Sequence, residues 1–119
     1  MKLKHSEIKP LRESLLIKQG QRCRLCQDLI VDDAVLDHDH KSGLLRGVLH
    51  RGCNSLLGKV ENNMARSRVD LGRLAEFSKN LIGYLTADPV SDLRHPTHKT
   101  PEERKMGRGR GRGKKPPKR

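Results

Sequence analysis

The stretch Leu36–Asn54, LDHDHKSGLLRGVLHRGCN, decides how the rest of this chain is read. It opens with Asp37-His38-Asp39-His40, passes through Lys41-Ser42-Gly43, and closes on His50-Arg51-Gly52-Cys53-Asn54. Ala34–His38 has the length of a short strand, Lys41-Ser42-Gly43 is a turn signal, and Leu44–Leu49 suits a returning strand. From Cys53 to Asn62 the spacing turns helical, with Leu56, Leu57 and Val60 facing inward, and Asn62–Ser67 breaks the pattern. Two short strands followed by a helix make a ββα unit able to clasp one metal site.

A metal is called for by what lies upstream. Cys23-Arg24-Leu25-Cys26 is a C-x2-C pair, and His50-Arg51-Gly52-Cys53 repeats the same spacing with a His in first place. Tetrahedral structural zinc takes four soft or borderline ligands, commonly as two short pairs that each close a tight loop on the ion. Cys23, Cys26, His50 and Cys53 therefore form a candidate Cys3His site, in which the energy of zinc binding counts as folding energy. With only three cysteines a disulfide framework fits poorly. Three buried thiols and an exposed His are the bland alternative, and two matching pairs in so short a chain argue against it. Four protein ligands leave no open position for a catalytic zinc.

The acid–imidazole run suggests chemistry of a second kind. Hydrolysis of a phosphodiester needs a group to activate water and a divalent ion against the scissile phosphate. A His titrating near neutrality serves the first need, and a carboxylate with a neutral oxygen ligand serves the second. His38 and Asp37 are such residues, and Asn54 offers the neutral oxygen one step from Cys53. In a regular strand Asp37 and His38 point to opposite faces, so this reading requires the strand end to bend or loosen near His38. Taken alone, the run also reads as a solvated acidic turn, or as a His that caps a hairpin.

The run CRLC…LDHDHKSGLLRGVLHRGCNSLLG resembles the phage recombination endonuclease VII family, a branch of the HNH (His-Me finger) nucleases. The likeness is close over residues 19–58 and weaker onward to His95-Pro96. It implies a small α+β fold with a zinc-stapled ββα-metal core and flanking helices. It implies a DNA endonuclease in which His38 is the general base and Asp37 and Asn54 hold a catalytic Mg2+ or Mn2+. Cys23, Cys26, His50 and Cys53 would be the structural zinc ligands, with His50 standing where the family usually has Cys. His40 would orient the site or contact phosphate, and Arg46 would pair with a backbone phosphate or with an acid of the fold. The products would carry 5′-phosphate and 3′-hydroxyl ends. The substrate would be DNA, duplex or branched, and a homodimer is open. The rival from another class is a noncatalytic, zinc-stapled nucleic-acid-binding phage regulator. It accounts for the ligand pairs and the charge but gives no reason for Asp37, His38 and Asn54 to converge.

Around this centre the chain is thin in apolar residues and rich in positive charge. Its 119 residues are 33% hydrophobic, contain no Trp, and have Phe77 and Tyr84 as the only aromatics. So small a core gains from a metal staple. Of the net charge of +12, +7 falls on Arg108, Arg110, Arg112, Lys114, Lys115, Lys118 and Arg119. That balance favours a polyanion. No apolar run is long enough to span a bilayer, and MKLKHSEIKP carries no signal-peptide stretch. The expectation is a cytoplasmic protein without a membrane partner, in the infected host cell if phage-encoded. Lys9–Gln19 reads as a helix with Pro10 in its first turn and Gly20 at C′. Asp70 caps a longer helix to about Ala87, whose stripe of Leu71, Leu74, Phe77, Leu81 and Leu85 is expected to pack on the ββα unit. The expected divisions are an N-terminal helical segment (1–20), the zinc-bound core (21–66), a second helical segment (67–95) and a basic tail (96–119). Met106–Arg119 is expected to be disordered. In that tail Arg108, Arg110, Arg112, Lys114 and Lys115 would bind phosphates, raising affinity and salt dependence without adding sequence choice.

Overall fold

A computed structural model describes residues 1–111, with backbone alone for 108–111. The first helix, α1, spans His5–Lys18 and so begins four residues before the expected Lys9. The Glu7 carboxylate accepts the Lys4 N–H at 2.9 Å, which starts the helix early. Pro10 thereby falls in the second turn, where the absent N–H leaves the exposed Ser6 carbonyl to water. The C-terminal end is as expected. Gly20 sits at C′ with φ +68°, its N–H bonds the Ile17 carbonyl at 3.0 Å, and the Gln21 N–H bonds the Leu16 carbonyl at 2.9 Å. This pair of bonds is a Schellman motif, and it turns the chain straight into the Cys23 loop.

Strand β1 (Ala34–His38) and strand β2 (Leu45–His50) form a two-stranded antiparallel sheet, followed at once by helix α2 (Arg51–Ser67). Ala34 opposes His50 and the register runs evenly to Asp37 opposite Gly47. There it slips. His38 pairs with Leu45, so Arg46 has no partner across the ladder. The irregularity is a bulge on the returning strand, and Asp37 stays buried with His38 exposed, as in a regular strand. Gly47 beside it has φ +154°, and a Cβ there would stand 2.7 Å from Arg24 Cδ. Only glycine allows both the backbone angle and that approach.

The core is as small as the composition implies. Cys23, Ile30, Val48 and Leu49 are buried, with Leu15, Leu16, Ala34, Leu36, Cys53 and Leu57 packed around them. Gln19, at the end of α1, serves the open edge of β2. Its amide donates to the Val48 carbonyl at 2.9 Å and its oxygen accepts the Val48 N–H at 2.8 Å. A side chain thus takes the place of a third strand at a fully buried residue.

Three expectations need correction. α2 does not break at Asn62 but runs to Ser67, ending where Arg68 turns left-handed at φ 54°. Residues 62–67 hold neither Gly nor Pro, so nothing stops propagation. Helix α3 (Leu71–Thr86) starts as expected, with the Asp70 carboxylate accepting the Arg73 N–H at 2.8 Å, but it buries none of its residues. Leu71 is 75% exposed and Phe77 59%. Only the first turns of α2 meet the core; its 17 residues span roughly 25 Å, and α3 begins past its far end. Finally, Met106–Gly111 belongs to a helix, α4 (Pro101–Gly111). The Thr100 hydroxyl accepts the Glu103 N–H at 3.2 Å, and Pro101 takes the first helical position.

The chain divides into two compact units, Met1–Asn80 and Leu81–Arg119. The first holds everything from α1 to most of α3. The second holds the end of α3, a turn in which the His98 N–H bonds the His95 carbonyl at 2.9 Å, and α4. Among the described residues no helix is long and apolar enough to cross a membrane.

Gln19→Ala leaves the buried Val48 N–H without a partner, at an expected loss of about 1–3 kcal/mol. Urea unfolding of the zinc-loaded variant measures it, and a loss below about 0.5 kcal/mol contradicts this account of the β2 edge.

Candidate metal centre and active site

The loop after α1 is shaped by its backbone before any metal is considered. The Cys23 N–H bonds the Asp28 carbonyl at 2.9 Å, the Gln27 N–H bonds the Cys23 carbonyl at 3.0 Å, and Arg22 pairs with Leu29 as an isolated bridge. Cys23 and Cys26 are thus held on one tight turn. His50 ends β2 and Cys53 lies in the first turn of α2. The donor atoms of Cys23, Cys26, His50 and Cys53 all lie within 4.8 Å of one another. Three thiols and one imidazole at that spacing fit a tetrahedral zinc.

His50 is oriented for this from outside the cluster. Its Nε2–H donates to the Leu29 carbonyl at 2.9 Å, leaving Nδ1 as the ligand atom, 3.2 Å from Cys26 Sγ and 3.9 Å from Cys53 Sγ. The Leu29 carbonyl, and then the Cys23 sulfur, raise the His50 pKa to about 9. At Cys23 burial works to raise the pKa, but the backbone N–H groups of Cys26 and His50 outweigh it and bring the thiol down to about 6. Burial raises Cys53 to about 12. The cluster therefore already contains one group poised as thiolate.

The other sequence-selected residues fall into two groups. Asp37 is 6% exposed in β1, whereas His38 at the strand end and His40 in the turn are exposed. The two imidazole rings tilt against each other, their centroids 5.0 Å apart. Asp39, between them, is a turn residue. Its carboxylate accepts the N–H groups of Lys41 at 2.7 Å and Ser42 at 3.0 Å, and Ser42 first and then Lys41 hold its pKa below the usual carboxylate value.

Of the two partners open to Arg46, the fold supplies acids. Its Nε donates to Asp37 Oδ2 at 2.8 Å and its Nη2 to Asp37 Oδ1 at 3.3 Å. Nη1 and Nη2 also reach the two Glu61 oxygens, each at 3.1 Å. Glu61 first and Asp37 second raise the guanidinium pKa. The acid reading of Arg46 is the one these pairs support. Glu61 itself was not among the expected residues. The one signal for it is its place two helical turns after Asn54, which puts both on one face of α2. Leu57, on that same face, lines a cleft with Asp37, Arg46, Gly47, Arg24 and Leu25. Half-buried Asn54 lies on that helical face but is not among the residues that line the cleft.

Of the tail residues proposed to meet phosphate, Arg112, Lys114 and Lys115 lie outside the described residues, as do the side chains of Arg108 and Arg110.

A family model for recombination endonuclease VII matches residues 2–86 of the chain. The chain belongs to this family. Membership in the recombination endonuclease VII family makes it a nuclease that cleaves DNA. The matched region takes in the four-ligand cluster, the hairpin, α2 and α3 whole.

Structural zinc sites contribute about 10–16 kcal/mol in small domains, comparable to the whole stability of an ordinary one. Stripping the metal with a strong chelator, or Cys53→Ala, is therefore expected to unfold the region around β1, β2 and α2. Metal analysis beside far-UV circular dichroism tests this: one zinc per chain before treatment, and lost helix signal after it. A metal-free chain with unchanged spectrum and unfolding midpoint contradicts the structural role.

Proposed function

We propose that this endonuclease works as an HNH-type (His-Me finger) enzyme, hydrolysing DNA phosphodiester bonds with His38 as general base and Asp37 and Asn54 as holders of Mg2+ or Mn2+. The observation that carries the reading is a buried Asp37 lining a cleft with Leu57 of α2, next to an exposed His38 at the irregular end of β1. The carboxylate is placed to hold an ion, and the imidazole stays open to incoming substrate. The hairpin followed at once by a helix, with the ligand cluster at their junction, supports the ββα-metal reading.

In this reading the His38 imidazole takes a proton from a water aligned with the scissile phosphorus. Asp37 and Asn54 would hold the divalent ion, which when bound would supply positive charge against the phosphate and the leaving 3′ oxygen. His40, in ring contact with His38, steadies that imidazole or meets the phosphate. Cleavage leaves 5′-phosphate and 3′-hydroxyl ends on duplex or branched DNA. The exposed Leu71 and Phe77 on α3 support an extension of the same reading to a homodimer.

A positioned general base is worth about 10²–10⁴-fold. His38→Ala and Asn54→Ala, each checked for zinc content and spectrum, are therefore expected to nick supercoiled plasmid in Mg2+ at least about 100-fold more slowly than the natural chain. Nicking by His38→Ala at the natural rate removes His38 from the role of base. A natural chain that binds the plasmid but never nicks it supports the noncatalytic alternative.

A further inference from the structure

The bulge opposite the Asp37–His38 step leaves Arg46 without a partner across the ladder. Arg46 lies between two carboxylates and engages both oxygens of each. Its hold on Asp37 is uneven, 2.8 Å to Oδ2 against 3.3 Å to Oδ1, whereas both contacts to Glu61 are 3.1 Å. Nη2 serves both acids. The environments also differ: the Asp37 side chain is 7% exposed and that of Glu61 35%. One guanidinium and two carboxylates leave a net charge of −1, so the cluster attracts a further cation.

We propose that Arg46 and a divalent cation compete for the Asp37 carboxylate, and that Glu61 is the positioning residue that retains Arg46 and so sets the balance. The proposal rests on the reading of Asp37 as an ion ligand. A hard divalent ion prefers carboxylate oxygen and draws on the same lone pairs that Arg46 now occupies. If displacement left the guanidinium half-buried and unpaired, it would oppose ion binding strongly. Glu61 removes that penalty, because two of the Arg46 contacts survive when Asp37 turns to the ion. Arg24, the other cation lining the cleft, forms no ion pair with Asp37 or Glu61. Competition for Asp37 therefore runs through Arg46.

The test is Mn2+ affinity, measured by calorimetry or by the electron paramagnetic resonance signal of free Mn2+, on zinc-loaded full chain without DNA. Glu61→Gln is expected to weaken Mn2+ binding about fivefold or more, and Arg46→Gln to tighten it by a similar factor. In the double variant, Glu61→Gln is expected to change affinity less than about twofold relative to Arg46→Gln alone, since its effect acts through Arg46. An equal Glu61→Gln effect in both backgrounds means through-space charge alone and overturns the proposal. So does an Arg46→Gln variant that binds Mn2+ no tighter than the natural chain. If Arg46→Gln loses zinc or helix signal, Arg46→Lys replaces it: one ammonium cannot bridge both carboxylates as the planar fork does. Tighter Mn2+ binding is expected there too, and unchanged or weaker binding overturns the proposal. Asp37→Asn separates the layers. If it keeps the natural Mn2+ affinity, the ion-ligand reading falls and this proposal with it. If it loses Mn2+ while the Arg46 and Glu61 variants bind like the natural chain, the competition alone is wrong.

Discussion

The meeting of Cys23, Cys26, His50 and Cys53 within 4.8 Å is the constraint on which the rest of this molecule depends. Four buried apolar residues cannot by themselves order a sheet of two strands and the helices around it. The ligand cluster ties the loop after α1 to the end of β2 and to the first turn of α2, so three separate segments share one fixed point. Several backbone bonds serve the same junction: the Arg24 N–H on the Val48 carbonyl, the Arg51 N–H on the Asp33 carbonyl, and the Gln19 amide along the β2 edge. Cys53 and Asn54 are neighbours in α2, so whatever fixes the thiol also fixes the amide.

From that junction the candidate active-site side is laid out by two local irregularities. The bulge frees Arg46 from the ladder, and Gly47 allows β2 to pass close against Arg24. Leu57 of α2 then lines a cleft with Asp37, and Glu61 one turn further on reaches Arg46. A buried carboxylate is tolerable only when paired, and Arg46 supplies the pairing. Structure and proposed chemistry thus meet at Asp37, which is both a satisfied buried acid and a candidate ion ligand.

Much of this was legible in the sequence, and what was not has physical reasons. The two x2 pairs named the ligand cluster because tight chelate loops require that spacing. β1 was readable to the residue, whereas the extra residue on β2 at Arg46 was not. Glu61 was not readable, since its role exists only once the bulge delivers Arg46 across two turns of α2. Gln19 was missed for a similar reason: a helix-terminal amide looks solvent-bound until β2 is laid beside it. The apolar stripe of α3 suggested burial, but periodicity reports a face and says nothing of what covers it. At 101–111 the glycine-rich composition argued against a helix, while Thr100-Pro101-Glu102-Glu103 carried a helix start that outweighed it locally.

The central claim is that one metal cluster holds in place residues that act on another ion. The direct measurement is the plasmid-nicking rate as a function of zinc content, at saturating Mg2+, in a chain depleted of zinc in steps and then restored. The account predicts that activity falls in proportion to lost zinc, reaches zero at zero zinc, and returns on reconstitution. Full nicking by zinc-free chain in Mg2+ contradicts it.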